Sequence, residues 1–213
     1  MTPRRRARKG EGDLLRQEIL DAAERLLLEK GSVEAVSIRA LAKAVDVSPP
    51  SIYLHFPDKA SVFFETCARG FTRFEASLRQ AAQGGGDAID RLRKMGRAYV
   101  EFGLSHPAEY RVLFGGGVAP PDDAGSDDPG VRAFTLVVGT IIEGMAAGTV
   151  RGDQDAMALA VAMWAAVHGA VLVLMQAESL SPVIQVEPAE LIEAVIGVVV
   201  SGLAPPTAGA PGG

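Results

Sequence analysis

The side chains best suited to acid–base or metal chemistry are His55, His106 and His168, and they lie too far apart in the chain to match metal-ligand spacing. The one cysteine, Cys67, falls four residues after Phe63 on a stretch that also carries Phe64 and Phe71, so it reads as a small core residue rather than a nucleophile. Glycine clusters at 84–86 and 115–117 follow helical patterns and lack the strand–loop–helix setting of a phosphate-binding loop. No catalytic residue, metal site or cofactor is expected. The remaining chemistry is phosphate recognition, concentrated in residues 37–59, SIRALAKAVDVSPPSIYLHFPDK. Tyr53 can offer a phenol, His55 an imidazole N–H and Lys59 an ammonium to a phosphate. Ser37, at a helix start, offers a hydroxyl and a backbone N–H. Each has a bland alternative: Tyr53 as packing, Ser37 as a plain cap, Lys59 as a solvated charge.

Base reading draws on fewer groups. Residues 49–55 hold no Arg, Asn or Gln, the usual bidentate readers of guanine and adenine. Pro49, Pro50 and Leu54 can make only apolar contacts, for instance with a thymine methyl, and Ser51 is both donor and acceptor. Arg39, in the preceding helix, is the candidate for a guanine, with a phosphate or a surface position as its alternative.

These residues need elements to hold them. Ile38, Leu41, Ala42, Val45, Val47, Ile52 and Phe56 are apolar where two short helices could pack together across a tight turn, the helix-turn-helix arrangement. The turn needs a residue tolerant of left-handed backbone, and Asp46 occupies that place. Ser48 is placed to cap the second helix, with Pro49 and Pro50 at positions whose N–H groups have no helical partner; the cap must then reach the N–H of Ser51. Upstream, Leu15, Ile19, Ala22, Ala23, Leu26 and Leu27 form an apolar helical stripe over 13–30, stopped by Gly31. Downstream, the pattern predicts a helix from Ser48 to about 56 or 57, then an Asp58-capped one to about 83, Asp87 to about 105, a short one through Phe114, and others over 131–149, 154–178 and 188–203. Residues 115–130 and 204–213 read as loop and tail by composition. No strand and no repeat is evident.

The stretch from 14 to 65 resembles the TetR family of bacterial transcriptional regulators, through Ile19-Leu20-Asp21-Ala22-Ala23, Gly31, and above all Ile52-Tyr53, His55-Phe56 and Lys59. It departs from the family at Asp46 and Pro50, where glycine is usual or frequent. His106-Pro107-Ala108-Glu109-Tyr110-Arg111, and Trp164 with His168-Gly169, resemble the family's WHG-type C-terminal domain. The resemblance implies an all-α protein: a basic arm (1–12), a three-helix helix-turn-helix DNA-binding domain (13–58), a larger helical ligand-binding and dimerisation domain (59–203) and a tail (204–213). It further implies a homodimer joined through the last two long helices. Such a protein would repress transcription from a palindromic double-stranded DNA operator until a small lipophilic effector releases it. Tyr99, Phe102, Phe114, Phe134, Met145, Trp164 and His168 are candidate effector contacts. The alternatives are an activator or ligand-independent regulator, or a helical small-molecule-binding protein or enzyme with a vestigial head.

Bulk properties agree with that reading. The chain has 213 residues and a net charge of −5, enough for one or two domains of about 150 residues. Residues 1–60 carry 11 Lys and Arg against 9 Asp and Glu, and residues 61–213 carry 10 against 17. Basic charge is densest at Arg4, Arg5, Arg6, Arg8 and Lys9, as in arms that touch nucleic acid. Charged residues at 22% and apolar residues at 48% exclude global disorder. Residues 156–177 carry no formal charge and are long enough to span a bilayer. Eight of those 22 residues are Ala, His168 lies among them and no Lys or Arg follows Arg151, so a buried or interfacial helix is expected instead. With no apolar segment in residues 1–20, a cytoplasmic location is expected.

Overall fold

A computed structural model describes residues 11–115, 127–176 and 187–205. Its elements are α1 (Glu11–Lys30), α2 (Ile38–Ala44), α3 (Pro49–Ile52), α4 (Lys59–Ala82), α5 (Ala88–Ser105), α6 (Pro107–Phe114), α7 (Pro129–Ala146), α8 (Ala156–Met175) and α9 (Pro188–Leu203), with no strand among the described residues. The basic arm through Gly10, most of the 115–130 loop, residues 177–178 and the tail from 206 lie outside them. Two compact units result, one within Met1–Phe71 and Ala108–Asp128, the other within Thr72–Pro107 and Pro129–Gly213. The first unit includes the start of α4. Val62 and Phe63 at the start of α4 are fully buried in the core of the first unit, and Val112 of α6 packs against that core.

The first unit is built on the α1 stripe. Ile19, Leu20, Ala22, Ala23 and Leu27 meet Leu41 and Ala42 of α2, Ile52 of α3 and Phe56. Gly31 (φ +78°) ends α1, its N–H donating to the Leu27 carbonyl at 2.7 Å. The hydroxyl of Ser37 caps α2 by accepting from the Ala40 N–H at 3.1 Å. Asp46 is the one non-glycine residue with positive φ among the described residues, +52°, and it lets the chain reverse so that the Val47 N–H donates to the Ala42 carbonyl at 3.0 Å. A side chain at this backbone angle costs free energy that glycine does not pay, partly offset by glycine's looser unfolded chain. Asp46→Gly is accordingly expected to raise the unfolding free energy by about 0.5–1 kcal/mol, read from the urea midpoint at unchanged slope. A lower midpoint would show that the Asp46 side chain stabilises the turn by more than its strain.

Two expectations need correction here. α3 ends at Ile52 and not near Phe56: the N–H groups of His55 and Phe56 both turn onto the Ile52 carbonyl, at 3.0 and 3.1 Å, closing a tight turn over 53–55. Ser48 stands at the N-cap of α3 without a side-chain cap bond. The N–H of Ser51 donates to the Ser48 backbone carbonyl at 2.9 Å, and the two hydroxyls pair with each other at 2.9 Å.

In the second unit α5 packs against α7, α8 and α9, while α8 also packs against α7 and α9. Asp87 caps α5 and Asp155 caps α8, each through a side-chain oxygen. At Gly144 of α7 a Cβ would stand 2.5 Å from Val150 Cγ2 and 2.6 Å from Ala88 Cβ, so glycine sets how closely α7 approaches the start of α5. α7 stops at Ala146, short of 149, where Gly148 turns to φ +73°. Glu75 of α4 is buried between Arg132 of α7 (Nη2 to Oε2, 2.7 Å) and Arg79 (2.6 Å), and the Arg132 bonds hold its carboxyl below the usual glutamate range. α8 is long and apolar enough to cross a membrane by length and composition, with a third of its apolar window buried within the chain.

Candidate nucleic-acid interface

The helix-turn-helix residues come to the surface of the first unit in an order set by its core. Ile52 is fully buried and anchors α3, and Phe56 is buried one turn on. The turn between them pushes the intervening side chains outward: Tyr53 is 51% exposed and Leu54 82%. Ser37, Arg39, Ser48 and Pro50 are exposed, while Pro49, Ser51, His55 and Lys59 are half-buried. The ammonium of Lys59 sits 5.6 Å from the centre of the Phe63 ring. Asp58 caps α4 by accepting from the Ser61 N–H (2.7 Å) and hydroxyl (2.8 Å), which holds its carboxyl below the usual aspartate range. His55 lies beside the first turn of α1, its Cε1 3.8 Å from where a Gly12 Cβ would be. The first turn of α1 therefore lies next to the 53–55 turn. Electrostatic clamps tie α1 to α4: Arg16 to Glu65, and Arg69 to Asp21 (2.7 Å) and Gln17.

The candidate effector contacts do not form one cluster. Tyr99, Trp164 and His168 do converge. The Trp164 indole N–H donates to the Tyr99 hydroxyl at 3.1 Å, and that hydroxyl lies 3.0 Å from His168 Nδ1. Burial lowers the His168 pKa, so the ring is neutral near pH 7 and Nδ1 can accept the Tyr99 proton. Phe102 is buried, edge-on to Phe74 and stacked on His106. Phe134 and Met145 pack on the core formed by Leu92, Ile141 and Met163. Phe114 belongs to the first unit, against Phe71 and Tyr110. Phe74, edge-on to both Tyr99 and Phe102 at 5.2 Å, joins the two aromatic groups. Nothing near it in sequence marked it beyond its place on the α4 stripe. Glu75 was equally silent, since its Arg132 partner lies far along the chain.

The Tyr99 hydroxyl thus serves two neighbours at once. Tyr99→Phe is expected to lower the unfolding free energy by about 1–2 kcal/mol, the usual effect of stranding partly buried polar groups. A change in the denaturation midpoint too small to resolve would mean that water replaces the hydroxyl without cost.

A three-helix unit with an exposed turn at 53–55, joined in one chain to a second helical unit, has the arrangement of a helix-turn-helix protein. Family models agree: that for bacterial regulatory proteins of the tetR family matches residues 19–66, and that for the tetracyclin repressor-like C-terminal domain matches residues 92–199. The chain belongs to the TetR family. It is similar to the HTH-type transcriptional repressor KstR of Mycolicibacterium smegmatis, 38% identical over 80 residues, or 38% of this chain and 39% of that relative. It is also similar to the HTH-type transcriptional regulator YobS of Bacillus subtilis, 32% identical over 100 residues, 46% of this chain and 51% of the relative. The chain thus spans about half or less of these relatives' lengths. Over nearly its whole length it is similar to a solved Rhodococcus sp. RHA1 protein of unknown function, with 28% identity, a TM-score of 0.73, and coverage of 89% of this chain and 95% of that one.

Proposed function

We propose that this protein is a homodimeric, cytoplasmic transcriptional repressor that reads a palindromic operator and is released by a small lipophilic effector. The observation that carries the reading is the outward turn of Tyr53 and Leu54 over a buried Ile52. On this reading Tyr53, His55, Lys59 and Ser37 hold phosphates, and Arg39 reaches a base or a phosphate. Arg4, Arg5, Arg6, Arg8 and Lys9 add affinity from an adjacent minor groove.

Dimerisation is supported by the uncovered side of α8. Met157, Val161, Trp164 and Leu172 are each 39–50% exposed and share one face with exposed alanines. On α9, Val198 is 74% exposed, and a Cβ at Gly197 or Gly202 would meet nothing within 4 Å. Small residues let two such faces approach closely, and a twofold axis makes the patch its own partner. Two heads would then sit about 34–36 Å apart, one helical turn of DNA. Within the second unit, Tyr99, Trp164 and His168 offer an effector a hydrogen-bonding corner in an aromatic setting. The effector acts by favouring the dimer geometry that does not fit the operator.

The test is selection of bound fragments from a random duplex library by the full-length protein at about 150 mM salt, where backbone-only binding is suppressed. An enriched palindrome is expected. Binding with no enriched site would remove the repressor reading and leave only a nonspecific basic arm.

A further inference from the structure

The reading turn lacks the side chains that usually read bases through paired hydrogen bonds. From Val47 to Pro57 there is no Arg, Lys, Asn, Gln, Asp or Glu. The first two positions of α3 are Pro49 and Pro50, which have no N–H, and the N–H of the third, Ser51, is already given to the Ser48 carbonyl. The Ser51 hydroxyl is paired with that of Ser48. Helix N-termini that enter a major groove usually bring free backbone donors; this one brings no free backbone N–H from its first three residues. What it presents instead is Leu54, the most exposed large apolar side chain among the described residues, with Pro50 exposed on the same short segment. A leucine this exposed on a soluble head has no packing role. The one apolar group that a base offers in the major groove is the thymine C5-methyl.

We infer that Leu54, supported by Pro50, reads thymine C5-methyl groups, so that operator specificity at the centre of each half-site comes from methyl contact rather than hydrogen bonding. This rests on the operator-binding reading above. Covering one methyl group is worth about fourfold in affinity, and about fifteenfold when the contact repeats in both halves of a palindrome.

The test uses the full-length protein and a duplex enriched from the random library, with thymines replaced by deoxyuridine at one symmetric pair of positions at a time. Base pairing and every hydrogen-bonding edge are retained, and only the methyl is lost. At one or more pairs, affinity should fall about fifteenfold. Leu54→Ala should bind the thymine and deoxyuridine duplexes alike at that pair, with unchanged thermal unfolding because the side chain supports no core. If every deoxyuridine duplex binds like its parent, or if Leu54→Ala keeps the discrimination, the methyl-reading assignment falls while the operator reading stands. If the library yields no enriched duplex, the operator reading itself fails. A half-site whose selection depends on guanine and disappears in Arg39→Ala, with no effect of deoxyuridine, assigns base reading to Arg39 and overturns the role of Leu54.

Discussion

Val161→Asp is expected to convert the protein to a folded monomer and to abolish operator binding at concentrations where the parent is saturated. Val161 is 45% exposed on α8, between Met157 and Trp164 on the uncovered face, so an aspartate there is solvated in the monomer and costs the single chain little. In a twofold dimer the same substitution buries two carboxylates facing an apolar partner. Each would lose most of its hydration, and α8 and α9 supply no counter-charge of their own, since no Lys or Arg follows Arg151 in the chain. Desolvation at several kcal/mol per ion makes a thousandfold weaker dimer a conservative expectation, equivalent to about 4 kcal/mol. Sedimentation equilibrium reads the assembly and far-ultraviolet circular dichroism the fold. A Val161→Asp protein that sediments as the parent does would place the dimer contact elsewhere than the α8 face.

Tyr53→Phe tests the first unit. The substitution removes one oxygen and leaves the ring, and because Tyr53 is half exposed while Ile52 carries the packing, stability should not change. A hydrogen bond to a phosphate is charge-assisted and worth about 1.5 kcal/mol at the low end of its range. Two heads each losing one gives about a hundredfold weaker operator binding. The salt dependence separates this from a cationic contact: Tyr53→Phe should leave the slope of log affinity against log salt unchanged, whereas Lys59→Ala should reduce it by about one per head. Unchanged affinity would remove Tyr53 from the phosphate contacts.

The sequence pattern conveyed the local features well because their causes are local. Gly31 and Asp46 stand where the backbone turns left-handed, and Ser37, Asp58 and Asp87 all cap the helices they precede. The Ser48 hydroxyl broke that pattern because Ser51 offered it a second hydroxyl, a competition that helix-start rules do not include. What depends on distant parts of the chain was not legible. Nothing near Glu75 in sequence announces Arg132, and nothing near Phe114 says that it packs with Phe71 in one unit while Tyr99 and Trp164 lie in the other. The start of α4 likewise belongs to the first unit because Val62 and Phe63 fill its core, a matter of tertiary contact rather than of a linker.

Trp164 is the chain's single tryptophan, and its indole N–H is committed to Tyr99 while two-fifths of the residue stays open to solvent. Excited at the red edge, where tyrosine is silent, the emission of the whole protein is therefore the emission of one ring on the uncovered face of α8. Any molecule that loosens the Tyr99 bond, and any association that covers the ring, must alter that signal. The protein thus carries its own label, against which a collection of unlabelled lipophilic compounds can be titrated.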